Sequence, residues 1–107
     1  MAVVIWAVVV VFAIAEPMPN LNLLDRFLVM MERQNIETII CFNKVDLVEE
    51  AEIIKYRDIY VNAGYHVIFT STTAGQGVSD VMRLIEGKTT SFAGPSGVGK
   101  SSLLNAL

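Results

Sequence analysis

Apolar and polar residues alternate along the chain in blocks that predict strands and helices in turn. An uninterrupted apolar run at residues 1–15, rich in valine and isoleucine, is typical of a strand buried on both faces. Within residues 21–34, apolar residues recur at helical spacing and predict a helix with one buried face, which Asn20 would cap. The same reasoning predicts strands at residues 36–42, 65–70 and 89–93, and helices at 49–63, 78–86 and 101–107.

Single helices between successive strands predict an α/β fold with a parallel four-stranded sheet and helices on both faces. The carboxyl ends of parallel strands lie at one edge of the sheet, where open α/β folds bind ligands. Polar loops begin near Asn43, Ser71 and Gly94, each directly after a predicted strand. We therefore expect these three loops to form one site.

Length and charge narrow the class of protein. A chain of 107 residues holds one domain at most. The uncharged run at residues 1–15 leaves a signal peptide or membrane anchor as an alternative to the strand. However, it is shorter than the roughly 20 residues of a spanning helix, and no basic residue precedes it, so we expect no membrane partner. The net charge of −3 provides no general attraction for nucleic acid.

The only cysteine and the only histidine are predicted to be structural. Cys41 has no second cysteine to pair with, and its apolar surroundings predict a small buried side chain. His66 lies in a predicted strand without Cys or His residues at metal-site spacing, which indicates a packed or edge histidine.

A phosphate loop at residues 94–101 carries the motif G-x-x-x-x-G-K-S. It reads Gly94, Pro95, Ser96, Gly97, Val98, Gly99, Lys100 and Ser101, and Ser102 follows it. A predicted strand before the loop and a helix after it provide the setting in which backbone amides cradle phosphates. We predict that Lys100, the candidate catalytic residue, bridges the β- and γ-phosphates and that Ser101 binds Mg²⁺. The alternative is a glycine-rich turn that happens to contain a lysine.

A guanine motif at residues 43–46 precedes the phosphate loop and reads Asn43, Lys44, Val45 and Asp46. The Asp46 carboxylate can accept two parallel hydrogen bonds from N1–H and the 2-amino group of guanine, donors that adenine lacks. The aliphatic part of Lys44 can lie along the base, and the Asn43 amide can tie neighbouring loops together. Ser71 and Thr72 are candidates for a backbone amide that contacts the base oxygen. A polar turn between strand and helix, or an ATP-using phosphate-loop protein, is the alternative interpretation.

The order of the motifs is the reverse of that in ordinary GTPases, where the phosphate loop comes first. With the segment Thr70–Thr72, the helix start Leu21–Leu28 and the stretch Gly94–Leu107, these motifs resemble the circularly permuted GTPases of the RsgA (ribosome small subunit-dependent GTPase A) family. The resemblance spans about residues 8–107. It implies GTP/GDP and Mg²⁺ as ligands, the strand order 4-1-2-3, and GTP hydrolysis coupled to maturation of the small ribosomal subunit. It also implies contact with that subunit and its rRNA, and a cytoplasmic location.

The chain departs from this family in several features. Members carry an OB-fold domain, a switch threonine, an Asp-x-x-Gly motif, and a zinc domain with Cys and His ligands, and residues 1–107 contain none of them. We therefore expect a partial permuted GTPase domain that binds guanine nucleotide better than it hydrolyses it. A non-catalytic guanine-nucleotide-binding fragment is the alternative. The outer edge of the fourth strand should be exposed and prone to self-association.

Overall fold

The computed structural model describes residues 6–107, with side chains from residue 7 onward. The first five residues of the predicted first strand, 1–5, lie outside the described residues. The elements are β1 (Trp6–Ala13), α1 (Leu21–Arg33), β2 (Glu37–Asn43), α2 (Glu50–Asn62), β3 (His66–Phe69), α3 (Val78–Ile85), β4 (Thr89–Ala93) and α4 (Lys100–Ala106). A 3₁₀ turn at Val45–Leu47 follows β2. From α1 onward, each element begins and ends within one residue of its predicted bounds.

The four strands form one parallel sheet in the order β3-β2-β1-β4. This order is the predicted 4-1-2-3 counted from the other edge, so the prediction is confirmed. In the register of the sheet, Val9 of β1 lies beside Ile39 of β2 and Phe92 of β4. Val9 and Ile39 are fully buried, as expected for central strands covered on both faces.

Two helices cover each face of the sheet. On one face, Leu24 of α1 and Tyr56 of α2 pack in a core cluster with Val10 and Phe42 of the central strands. On the other face, Val81 of α3 and Leu103 of α4 pack in a second cluster that includes Val9 and Cys41. The predicted three-layer α/β architecture is therefore confirmed.

Local contacts fix the ends of several elements. The Asn20 side chain accepts a hydrogen bond from the backbone amide of Leu23 at 3.1 Å and caps α1, as predicted. At the amino ends of the strands, Lys88 Nζ donates to both carboxylate oxygens of Glu37 at 2.8 and 2.9 Å. Glu37 begins β2 and Lys88 precedes β4, so this ion pair spans β1, which lies between them.

Cys41 and His66 occupy the places that the sequence predicts. The Cys41 thiol is fully buried in β2, 3.4 Å from the Thr70 hydroxyl oxygen, and burial raises its pKa to about 11. His66 is exposed on the edge strand β3. Across residues 6–107, no helix is long and apolar enough to cross a membrane.

Candidate functional site

Asn43 joins the loops at the carboxyl edge of the sheet. It ends β2 and is 1% exposed. Its Nδ2 donates to the carbonyl oxygen of Val98 in the phosphate loop at 3.1 Å, and its Oδ1 accepts from the Thr70 hydroxyl, after β3, at 2.9 Å. One buried amide thus holds three loops together, which is the role that the sequence suggests for it.

Replacing Asn43 with alanine should lower the free energy of unfolding by about 3 kcal/mol, because the buried Thr70 hydroxyl and Val98 carbonyl would each lose a partner. Urea unfolding followed by circular dichroism measures this loss. The same replacement at Asn22, which is exposed on α1, is the matched control and should change stability by less than about 0.5 kcal/mol. Equal losses in the two variants would contradict the assigned role of Asn43.

Lys44 connects two further loops through its ammonium group. Its backbone is left-handed, with φ of 65°, and leads into the turn Val45–Leu47. Its Nζ donates to the Glu16 carbonyl oxygen at 2.5 Å and to the Gly97 carbonyl oxygen at 2.7 Å. The lysine therefore holds the loop after β1 against the phosphate loop, a role that the sequence analysis did not identify.

Asp46 is exposed in the turn after β2, and Ser71 orients its carboxylate. The Ser71 hydroxyl donates to Asp46 Oδ1 at 2.7 Å. Ser71 is itself fully buried and exchanges two backbone hydrogen bonds with Gln76, at 2.9 and 3.0 Å. This arrangement holds one oxygen of Asp46 from a loop closed by its own backbone hydrogen bonds and leaves Oδ2 without a protein partner in the described part of the chain.

The geometry assigns different roles to Ser71 and Thr72. The Ser71 amide donates to the Gln76 carbonyl oxygen, so it is already used within its own loop. Between residues 6 and 107, the Thr72 amide has no such partner. Of the two candidate amide donors to a base, Thr72 is therefore the one whose amide remains available, while Ser71 acts through its hydroxyl.

An open cleft of about 400 Å³ follows β4. Its lining consists of residues of the phosphate loop and its continuation, namely Gly94, Pro95, Ser96, Gly97, Gly99, Lys100, Ser101 and Ser102. Val98 is the exception, because its side chain is 1% exposed and packs in the core cluster with Val81 and Leu103. Val98 thus anchors the loop, whereas its neighbours present polar groups to the cleft.

Two glycines of the phosphate loop are required by close backbone approaches. A Cβ atom at Gly94 would overlap the carbonyl oxygen of Val11 in β1. Gly99 has a φ of 88°, and a Cβ atom there would overlap the amide nitrogen of Asn43. The contact between the guanine motif and the phosphate loop therefore depends on glycine at position 99.

The residues present fit a magnesium ion that is bound together with phosphates. Ser101 is exposed at the cleft and offers one hydroxyl oxygen. Among residues 6–107, no group of three or more His, Cys, Asp or Glu side chains could hold a metal alone. Mg²⁺ commonly uses one or two protein oxygens, with phosphate oxygens and water completing its octahedron.

Comparisons with known proteins agree with this site and fold. The sequence model of the RsgA GTPase family matches residues 1–107. The small ribosomal subunit biogenesis GTPase RsgA of Agathobacter rectalis is 54% identical over 98 residues, which cover 92% of this chain and 32% of that protein. Its Bacillus subtilis counterpart is 46% identical over 103 residues, which cover 92% of this chain and 35% of that protein. The chain therefore spans about a third of the length of these curated relatives.

Two solved structures share the fold. The crystal structure of YjeQ from Thermotoga maritima superposes with a TM-score of 0.84 at 36% identity and covers 95% of this chain and 37% of that one. The structure of YloQ, described as a circularly permuted GTPase, superposes with a TM-score of 0.81 at 44% identity, and the match covers 94% of this chain and 37% of that one.

The parallel sheet, and a G-x-x-x-x-G-K-S loop that follows the Asn-Lys-x-Asp motif along the chain, are those of the circularly permuted GTPases, the class that the YloQ structure represents. Within that class, the chain belongs to the RsgA GTPase family, because the family's sequence model matches it from residue 1 to residue 107.

Proposed function

We propose that this chain is the guanine-nucleotide-binding part of a GTPase that acts in small ribosomal subunit biogenesis. The observation that carries the proposal is the Asn43 amide, which joins the guanine motif directly to the phosphate loop. A base held at Asp46 and phosphates held at residues 97–102 would then belong to one ligand. The names of the relatives, all RsgA GTPases of small subunit biogenesis, support the biological role.

In this proposal, each part of the ligand meets its own set of groups. Asp46 accepts hydrogen bonds from guanine, and the carbon chain of Lys44 lies along the base while its ammonium holds the two loops. Backbone amides of residues 97–102 hold the β-phosphate, and Lys100 bridges the β and γ oxygens. Ser101 is the protein ligand to Mg²⁺, which when bound neutralises charge on the phosphates.

Binding experiments separate guanine recognition from general phosphate binding. Isothermal titration calorimetry of the purified chain with GDP, GTP and ATP in the presence of Mg²⁺ should show ATP binding about 100-fold more weakly than GTP, because adenine lacks the N1–H and 2-amino donors that pair with Asp46. Equal affinities for ATP and GTP would favour an ATP-using phosphate-loop protein instead.

We propose that this domain hydrolyses GTP as well as binding it. The second candidate function is that of a fragment that binds guanine nucleotide without hydrolysing it. Lys100, the residue that we propose as catalytic, lines the cleft. A single-turnover assay with GTP decides between the two candidates, since a rate well above the buffer blank would exclude the non-catalytic fragment.

The partners proposed for the whole protein are the small ribosomal subunit and its rRNA, in the cytoplasm. We also propose that the edge of β4 can self-associate, because β4 is the last strand of the described sheet and Thr89 and Ser91 on it are exposed. Zinc is implied only by the family resemblance, and we propose no zinc ligand among residues 6–107.

A further inference from the structure

A shallow apolar groove of about 320 Å³ lies between α1 and α2. Leu28 and Val29 of α1 line it together with Ile59 and Tyr60 of α2 and with Ala63, which follows α2. We call it the α1–α2 groove. It shares no residue with the phosphate cleft or with the guanine motif. Val29 is 49% exposed and Ile59 is 46% exposed, so large apolar side chains remain open to solvent here.

Two carboxylates lie along the same flank of α1. Asp25 lines the groove and accepts a hydrogen bond from the Tyr60 hydroxyl at 3.1 Å. Glu32 accepts one from the hydroxyl of Tyr65, another groove residue, at 2.7 Å. Burial and the neighbouring Glu32 raise the pKa of Tyr65 to about 12, so this phenol remains a donor at neutral pH. The two tyrosines thus orient both carboxylates beside apolar surface.

Neither carboxylate has a cationic partner within the described ranges. The ion pairs found there join Arg57 to Asp58, Arg83 to Asp80, and Lys88 to Glu37. Asp25 and Glu32 are seven residues apart, or two helical turns, which separates them by about 10 Å along α1. The groove is therefore largely apolar, with the carboxylate of Asp25 in its lining and that of Glu32 beside it, bonded to Tyr65, and neither is paired with a cation in the described part of the chain.

We propose that the α1–α2 groove is a docking surface for a basic protein segment, which places a large apolar side chain between two cationic ones about 10 Å apart. Two lysines or arginines seven residues apart on a helix have this spacing. The charges disfavour the other occupants. A nucleic acid would bring phosphates towards Asp25 and Glu32, and a second copy meeting groove to groove would bring four carboxylates together.

Selection from an unbiased peptide library tests the proposal. A phage-displayed library of random peptides about 15 residues long, long enough to form an amphipathic helix, is selected on the 107-residue chain. The expected consensus has two Lys or Arg residues flanking a large apolar residue. Failure to enrich any peptide, or enrichment of acidic or uncharged ones, would overturn the proposal.

Titration of a recovered peptide against variants then locates its binding site. Val29→Ser should weaken binding about tenfold, and so should the double variant Asp25→Asn, Glu32→Gln, which keeps the tyrosine hydrogen bonds but removes the charges. Val61→Ser is the matched control, because Val61 is also 49% exposed but lies on α2 outside the groove. Equal effects of Val29→Ser and Val61→Ser, or competition by a single-stranded RNA, would refute a protein-binding groove.

Discussion

Replacing Asp46 with asparagine is expected to change the ratio of affinities for guanine and xanthine nucleotides by about 1,000-fold, in favour of xanthine. Guanine presents two donors, N1–H and the 2-amino group, and the asparagine amide would meet one of them with another donor. Xanthine carries a carbonyl oxygen in place of the 2-amino group, and the amide can donate to it. Ser71 can still donate to the remaining side-chain oxygen, so the asparagine should keep its orientation. Titration of the variant with GDP and XDP measures the ratio.

The matched control makes the same change of charge away from the site. Asp58 is exposed on α2, beside Arg57, and Asp58→Asn should leave both affinities unchanged. An Asp46→Asn variant that binds GDP as tightly as the original chain would show that Asp46 does not read the base. The guanine motif would then be a polar turn, as the alternative interpretation of the sequence holds.

The elements of the fold could be predicted because the spacing of apolar residues agrees with the residues that begin and end each helix or strand. Leu24, Leu28 and Met31 repeat at helical spacing and are the buried residues of α1, while Asn20 begins the helix and caps it. The order of the strands was not accessible in this way. All four strands are parallel, so their apolar patterns do not reveal their neighbours, and the order came from the family resemblance.

The sequence predicts which residues form the site, but it predicts only some of the contacts that they make. The motifs locate Asn43, Asp46 and the phosphate loop, because those side chains and glycines carry the chemistry themselves. Lys44 donates to the Glu16 carbonyl oxygen, and both residues have positive φ, 65° at Lys44 and 49° at Glu16, although neither is glycine. No residue type in the sequence marks these backbone turns, so the carbonyl oxygen that Lys44 contacts could not be identified from the sequence. The anchoring role of Val98 was not predicted either, since Pro95 is another apolar residue at a variable position of the motif and it lines the cleft.

Replacing Lys100 with alanine should weaken GTP binding about 100-fold, since charge-assisted hydrogen bonds to two phosphates would be lost. The loss should be smaller for GDP and absent for GMP, which has neither a β- nor a γ-phosphate. Lys100 is the first residue of α4 and lies at the cleft, while Leu103 anchors that helix in the core, so the fold should be retained. Titration with the three nucleotides, alongside urea unfolding, measures both properties.

The graded response distinguishes phosphate contact from a structural role for Lys100. Lys55→Ala removes an exposed lysine of α2 and should alter none of the three affinities. If Lys100→Ala weakened the binding of GMP as much as the binding of GTP, the lysine would support the conformation of the loop rather than bind phosphates. Because Asn43 and Lys44 already fix that shape through Val98 and Gly97, we expect the loop to keep its conformation and the effect to follow the number of phosphates.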